Sequence, residues 1–270
     1  MDKKCNIIKL VYFINLTTIK EKKMRFCLTF DLKNKEIPIN YRKIILSFIK
    51  NALSKCNNGK YYDNFFKDTN QKDYCFSVLL PKSTFYRDQI KLDTNEIKIL
   101  FSTEDSKKTG AILFSAFIPQ KNKAYPLPDD NYMTLKNIRM EKQEVISNSK
   151  AIFKTTLGGG LCVREHNREN NKDNYYVYSD KDFREKLKNV LSNQVIKAGF
   201  TEDDAEEIKV NPIKCKKVVV KHYGRYIDVT TGIFEMQADN KILQYFYDTG
   251  IGSRKSAGFG MINLVTQDLL

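Results

Sequence analysis

The stretch TGIGSRKSAGFGMINLV, residues 249–265, gathers the groups best suited to phosphate chemistry: Gly250, Gly252, Gly258 and Gly260 surround Ser253, Arg254, Lys255 and Ser256. Glycine lets a backbone come close to a phosphate, arginine and lysine supply charge, and serine supplies hydroxyl donors. The stretch therefore reads as a phosphate-gripping loop. It is not a Walker loop, because the required spacing before Lys-Ser/Thr is absent and a strand, not a helix, follows. Glycine-rich turns also join helices to strands for purely structural reasons, so the loop alone leaves both readings open.

Two other places carry useful groups. His166 lies in R-E-H-N-R, between Arg164 and Arg168, and His222 follows Lys221 in a basic stretch with Lys214, Lys216, Lys217 and Arg225. That stretch is the best basic patch in the chain, although lysines also defend exposed strand edges. Imidazole titrates in the range useful for proton transfer, but a surface, structural or anion-contacting role suits both histidines better than catalysis. With only these two histidines a zinc site has almost no ligands, and metal-free chemistry is favoured. The six cysteines, Cys5, Cys27, Cys56, Cys75, Cys162 and Cys215, form no CxxC pair and read as free thiols of a reducing cytoplasm. A formal charge of +14 and a pI of about 9.3 point to a polyanionic partner.

The elements that must position these groups follow from periodicity. Residues 1–23 read as an N-terminal extension: the apolar IIKLVYFINLTTI is interrupted by Lys9 and is too short and broken for a spanning helix or a secretory leader. From Arg25 to Leu32, alternation of Phe26, Leu28 and Phe30 predicts a strand. Asn40 is placed to cap a helix with Tyr41, Ile44, Ile45, Phe48, Ile49, Ala52 and Leu53 on one face and Arg42, Lys43, Ser47, Lys50, Asn51 and Ser54 on the other. Strands are expected over 74–80, 85–92 and 96–102, a helix from near Thr103 through Phe117, and a strand over 131–146. That order is the split βαβ pattern of a ferredoxin-like or RRM-like domain.

The second half repeats it. A strand interrupted by Gly158, Gly159 and Gly160 spans 151–164, a helix capped by Ser179 carries Phe183, Leu187, Val190, Leu191 and Val195, and a hairpin turns at Gly224. A helix over 239–248 stops at Gly250, and a strand over 259–265 ends the chain. The expected architecture is α+β: two tandem ferredoxin-like βαββαβ domains, residues 24–147 and 148–270, with a central cleft and a C-terminal glycine-rich loop.

G-I-G-S-R-K-S-A-G-F-G resembles the C-terminal glycine-rich signature of the CRISPR repeat-processing endoribonucleases of the Cas-six type. The resemblance extends to the strand beginning at Met24, to I-P-I-N-Y at the start of the first helix, to Y-C-F-S at 74–77 and to the Phe-Tyr-Asp of the helix before the loop. It implies tandem ferredoxin-like domains that hold repeat RNA along a basic face and in the cleft. It also implies metal-independent cleavage of pre-crRNA by attack of a 2′-hydroxyl, leaving 2′,3′-cyclic phosphate and 5′-hydroxyl ends.

Many members of that family place a histidine before the second strand, with a tyrosine or lysine on the first helix and a lysine beside the strand. Here the histidine position falls on Phe65 or Phe66, the helix position on Lys50, and the lysine is kept as Lys72. Lys50, Lys72 and Arg254 are thus the expected catalytic cluster: Lys50 and Arg254 for phosphate charge, Lys72 for charge or protonation of the leaving oxygen. Lys43, Tyr62, Arg164, His166, Lys221, His222, Gly252, Ser253, Lys255, Ser256 and Gly258 are the expected RNA contacts. No metal and no cofactor is expected. The expected partners are CRISPR repeat RNA, or pre-crRNA, and a CRISPR effector complex, with no membrane, for a cytoplasmic monomer or homodimer. Since the histidine is missing, the alternative is a protein of the same fold that binds the repeat without cutting it.

Overall fold

A computed structural model of the chain describes residues 23–67 and 71–268; the expected extension lies almost wholly outside them. Strand β1 (Lys23–Leu32) forms as the alternation of Phe26, Leu28 and Phe30 dictates, with all three rings or side chains fully buried. After β2 (Glu36–Pro38) comes helix α1 (Tyr41–Lys55), then α2 (Tyr62–Phe66), β3 (Tyr74–Leu79), β4 (Ser83–Phe85), β5 (Gln89–Leu92), β6 (Glu96–Glu104), α3 (Thr109–Phe117), β7 (Ala124–Leu127) and β8 (Asn131–Met140). The first sheet runs β3-β6-β1-β8-β7, antiparallel throughout. Helices α1 and α3 pack on it, burying Phe48 and Phe117 against Phe26, Phe30 and Phe101.

The second half contains β9 (Lys150–Thr155), β10 (Val163–Asn167), β11 (Lys172–Tyr176), α4 (Phe183–Ile196), α5 (Glu202–Glu206), β12 (Lys209–His222), β13 (Arg225–Gln237), α6 (Asn240–Thr249) and β14 (Ile262–Thr266). Its sheet runs β12-β13-β9-β14, the same order as β3-β6-β1-β8. In both halves the strand-helix-strand-strand-helix-strand sequence closes into the antiparallel order of a ferredoxin-like fold. The α+β architecture expected from the sequence is therefore present.

Several elements differ from expectation for identifiable reasons. The run 85–92 breaks into β4 and β5, which join β2 in a small separate sheet. The first-half second helix starts at Thr109, not near Thr103, because β6 continues to Glu104 and the Asp105 carboxylate accepts hydrogen bonds from the amides of Gly110 and Ala111. Strand β8 stops at Met140, short of 146. The strand expected over 151–164 ends at Thr155, and a separate hairpin, β10–β11, follows the three glycines. Helix α4 begins at Phe183, after a turn in which the Asp180 carboxylate accepts from the Val177 amide. Asn40 precedes α1, but its side chain makes no cap hydrogen bond. By contrast, Asp239 caps α6 through its carboxylate and the Lys241 amide, 2.8 Å. The described cysteines are unpaired thiols, and among the described residues no helix is long and apolar enough to cross a membrane.

One core group makes stability depend on pH. Asp248, on the last turn of α6, is 4% exposed, and Gln244 donates Nε2 to its Oδ1 at 3.0 Å. Burial pushes its carboxyl up to about 7, against the lowering effect of Lys23, the Gln244 hydrogen bond and Arg25. Between about pH 4 and pH 7 the folded chain thus holds a proton that the unfolded chain lacks, so stability falls as pH rises through that window and levels off above it. Asp248→Asn is expected to remove this slope and to add roughly 2–4 kcal/mol above pH 7, read from denaturant unfolding across pH 4–8.

Candidate functional site

Helix α6 stops at Gly250, whose φ of +78° excludes most side chains, and the glycine-rich loop then crosses between the two sheets. Its amides are engaged inside the protein. Ile251 donates to Gly260 O at 2.8 Å, Ser253 to Cys162 O at 2.7 Å, Gly252 to Gln194 Oε1 at 3.2 Å and Gly260 to Gly160 O at 2.9 Å. A Cβ on Gly252 would lie 2.7 Å from Leu161 Cδ1, and one on Gly260 would lie 2.1 Å from Ile251 O. The glycines thus let neighbouring backbones close together. At the expected RNA contacts Gly252 and Gly258 the amides are used within the chain: Gly258 donates its own amide to Lys255 O, and its carbonyl accepts from Arg42.

Burial also redirects two expected RNA contacts. The Lys255 side chain turns inward and is 6% exposed, with Nζ 3.3 Å from Thr249 Oγ1 and 5.6 Å from the Tyr245 ring centre. Desolvation pushes its ammonium down to about 8. His222, 4% exposed, lies edge-on to Phe259 and Tyr223. Burial, followed by the charges of Arg254 and Arg42, pushes it down to about 4, so it is neutral at neutral pH. Neither side chain reaches the surface, because each fills the packing under the loop. Ser253 and Ser256 are half-buried.

The outward-facing chemistry gathers around Asp173. This carboxylate, on β11, takes Arg164 Nη1 on Oδ1 at 2.9 Å and His166 Nδ1 on the same oxygen at 2.8 Å, both from β10. Its Oδ2 takes Arg254 Nη2 at 2.9 Å and the Tyr175 hydroxyl at 3.3 Å. Arg254 also donates from Nε and Nη2 to the Tyr175 oxygen, at 3.2 and 2.8 Å. Burial would raise the Asp173 carboxyl, but the hydrogen bonds from His166 and Arg164 and the charges of Arg164 and Arg254 outweigh it and hold the group at about 2. Arg254 reaches this position from a left-handed backbone, φ +58°, at the start of the loop's short 3₁₀ turn.

Lys50 and Lys72 both meet α2. The Lys50 ammonium stands 5.0 Å from the Phe66 ring centre, and Lys72 Nζ donates to Asn64 O at 2.9 Å. Tyr62 packs on Phe66 on the same helix, ring centres 5.2 Å apart, and Phe65, one of the two residues at the expected histidine position, is buried in the core. Arg254 is held by β11, through Asp173 and Tyr175. Lys43 is exposed on α1. Lys221, on β12, pairs with Asp88 at 3.3 Å and so ties the long β12–β13 hairpin to the turn between β4 and β5.

Sequence reasoning missed Arg42. Placed on the polar face of α1, it is instead 5% exposed: Nη2 donates to Gly158 O at 2.5 Å, Nε to Gly258 O at 3.4 Å, and the guanidinium stacks 4.7 Å from the Phe259 ring centre. Its place on the polar face of α1 gave no sign of this, since arginine stems bury readily when the head finds carbonyls, and both carbonyls lie in the other half of the chain. It links the first helix to both glycine segments of the other half. Chemically, the assembled surface can bind anions through Arg254, Arg164 and His166, and can orient an imidazole through a carboxylate. Among the described residues no group of three or more His, Cys, Asp or Glu side chains could hold a metal ion.

Residues 140–264 match the family model described as CRISPR associated protein Cas6, C-terminal. No curated protein matches the chain. Among solved structures, the fold is similar to an RAMP protein described as binding different RNA substrates, with TM-score 0.75, 18% identity, and coverage of 90% of this chain and 100% of that one. A Cas6-related protein from Pyrococcus furiosus gives TM-score 0.75 at 18% identity, covering 91% of this chain and 100% of that one. A Cas6 product complex gives TM-score 0.66 at 11% identity, with 90% and 100% covered. At these identities the likeness is one of fold.

Proposed function

We propose that this chain, whose residues 140–264 match the Cas6 C-terminal family model, binds CRISPR repeat RNA and cuts pre-crRNA into guide RNAs without a metal ion, by 2′-hydroxyl attack on the adjacent phosphate. The observation that carries the reading is the cationic cluster at the loop, where Arg254 and Arg164 share one carboxylate on the surface of a Cas6-type fold. Phosphoryl transfer of this kind asks the protein mainly for charge stabilisation and positioning, and guanidinium groups supply both. The relatives described as binding RNA substrates and as a product complex support RNA as the ligand.

In this reading residues 24–147 and 148–270 act as two domains that hold the RNA between them, in the cytoplasm. Arg254 stabilises the charged phosphorane, while Lys50 and Lys72 meet phosphate from the α2 side. The ammonium groups also hold the RNA backbone, so Lys50→Ala and Lys72→Ala are each expected to weaken binding uniformly across sequences. Each should also lower the slope of log affinity against log salt by about 0.7 to 0.9. Titration by fluorescence anisotropy at several salt concentrations checks this, and an unchanged slope removes the lysine from the interface.

A second reading, binding without cutting, is favoured by the phenylalanines at the expected histidine position. Incubation of the full chain in excess EDTA separates the two, using RNA that carries the direct repeat of the CRISPR array beside the gene. A single cut, lost when the cut-site nucleotide is 2′-deoxy, supports cleavage. Intact RNA held tightly supports the binder, and intact RNA held no better than an unrelated RNA defeats both.

A further inference from the structure

Cleavage by 2′-hydroxyl attack needs a group that accepts a proton, and the ammonium and guanidinium groups of the expected cluster only donate. No histidine occurs before residue 166. The one buried imidazole, His222, is enclosed by Phe259 and Tyr223, where no ribose can reach it. His166 is placed differently: its side chain is 40% exposed, and among the described contacts its Nδ1 alone is engaged, by Asp173 Oδ1 at 2.8 Å.

Resting on the proposed cleavage, we infer that His166 is the proton acceptor of the reaction, that Asp173 positions it, and that the cut phosphodiester lies beside Arg254 against the β10–β11 hairpin. Three observations carry this. The first is tautomer. Asp173 is ionised at neutral pH and only accepts, so Nδ1 must donate to it, which leaves the Nε2 lone pair directed away from the carboxylate. An exposed, oriented acceptor nitrogen is what general-base catalysis requires.

The second is proximity. His166 and Arg254 bind the two oxygens of one carboxyl group, so the acceptor and the phosphate-directed guanidinium are only two hydrogen bonds and one carboxylate apart. A phosphate that meets Arg254 brings its neighbouring ribose toward the imidazole.

The third is charge. Arg164, Arg254 and His166 share Asp173, and among the described contacts no second carboxylate meets any of the three. An exposed histidine–aspartate pair adds little to stability. The cluster keeps surplus positive charge on its solvent side, which complements a phosphodiester. The hairpin's register makes this assembly: His166 lies directly opposite Asp173, and Arg164 opposite Tyr175.

The step balances simply. The 2′-hydroxyl proton passes to His166 Nε2 as the O2′–P bond forms. The P–O5′ bond breaks, O5′ takes a proton from water, and the imidazolium returns its proton to solvent.

The test uses the full chain under single-turnover conditions, protein saturating, with the direct-repeat RNA named above. His166→Ala and His166→Gln are expected to lower the cleavage rate constant by about 10²-fold or more with the dissociation constant for RNA unchanged. Added imidazole should restore part of the alanine variant's rate. Asp173→Asn is expected to lower the rate constant about tenfold or more at unchanged affinity, a split that a merely structural role would not produce. Far-ultraviolet circular dichroism confirms folding of each variant. Cutting by both His166 variants within threefold of the unaltered chain overturns the assignment while leaving cleavage itself intact. So does a loss of rate matched by an equal loss of affinity, which would make His166 an RNA contact only. Failure of the unaltered chain to cut overturns the cleavage reading, and this assignment with it.

Discussion

Arg254→Ala is expected to reduce cleavage of repeat RNA by about 10²- to 10³-fold at saturating protein, with a smaller loss of affinity. The expectation follows from what the guanidinium does not do. It is not needed to hold Asp173, which keeps Arg164 and His166 when Arg254 is removed. It is not needed to shape the loop either, whose amides close on Gly160, Cys162, Gln194 and Gly260. The substitution therefore leaves the fold standing and removes a charged, planar donor whose Nε and Nη2 are fixed by Tyr175 and Asp173. Because that orientation rests on a fork of donors, Arg254→Lys is expected to recover RNA affinity more than it recovers rate: an ammonium replaces the charge but not the geometry. Single-turnover cleavage and anisotropy titrations of the two variants check the split. Equal rates for the alanine variant and the unaltered chain would take Arg254 out of the reaction.

The parts of this site that were legible in the sequence are those that announce themselves by composition. The loop at 249–265 and the basic stretch around Lys221 were found by residue type, and β1 and α1 by periodicity that burial then obeys. The β10–β11 hairpin was not legible, and the reason is physical. Its strands, VREHN and KDNYY, have no apolar alternation, because polar pairs hold them: Asp173 with Arg164 and His166 and Glu165 with Tyr176 across the strands, and Glu165 with Lys186 of α4. Patterns of hydrophobicity report burial, and this hairpin buries little. The inward turn of Arg42, Lys255 and His222 was hidden for the opposite reason, since polar residues on a predicted surface face give no sign of the second sheet that covers them.

The same union of two halves makes Gly158, among the described glycines, the one whose added Cβ would meet the closest obstacle. Gly158 has φ +74°, and a Cβ there would stand 1.8 Å from Val78 O and 2.8 Å from Val78 C. The obstacle is the backbone of β3 in the other sheet, so no side-chain rotation relieves it. Alanine must instead push the segment away from β3, breaking the 2.6 Å hydrogen bond from Ser77 Oγ to Leu157 O and disturbing the one from Arg42 to Gly158 O. Gly158→Ala is therefore expected to destabilise the chain by about 3 kcal/mol or more and to lower the melting temperature by roughly 6–12 °C. Gly224→Ala separates the two causes. Gly224 has a matching φ of +78°, but nothing lies within 4 Å of its added Cβ, so the variant carries the backbone cost alone, about 1 kcal/mol. Thermal melts of both variants decide the matter: equal losses would mean that the close approach of the two sheets at Gly158 contributes nothing. A larger loss at Gly158 would locate there the contact that holds Arg42 against both glycine segments and keeps the loop, and Arg254 with it, in place.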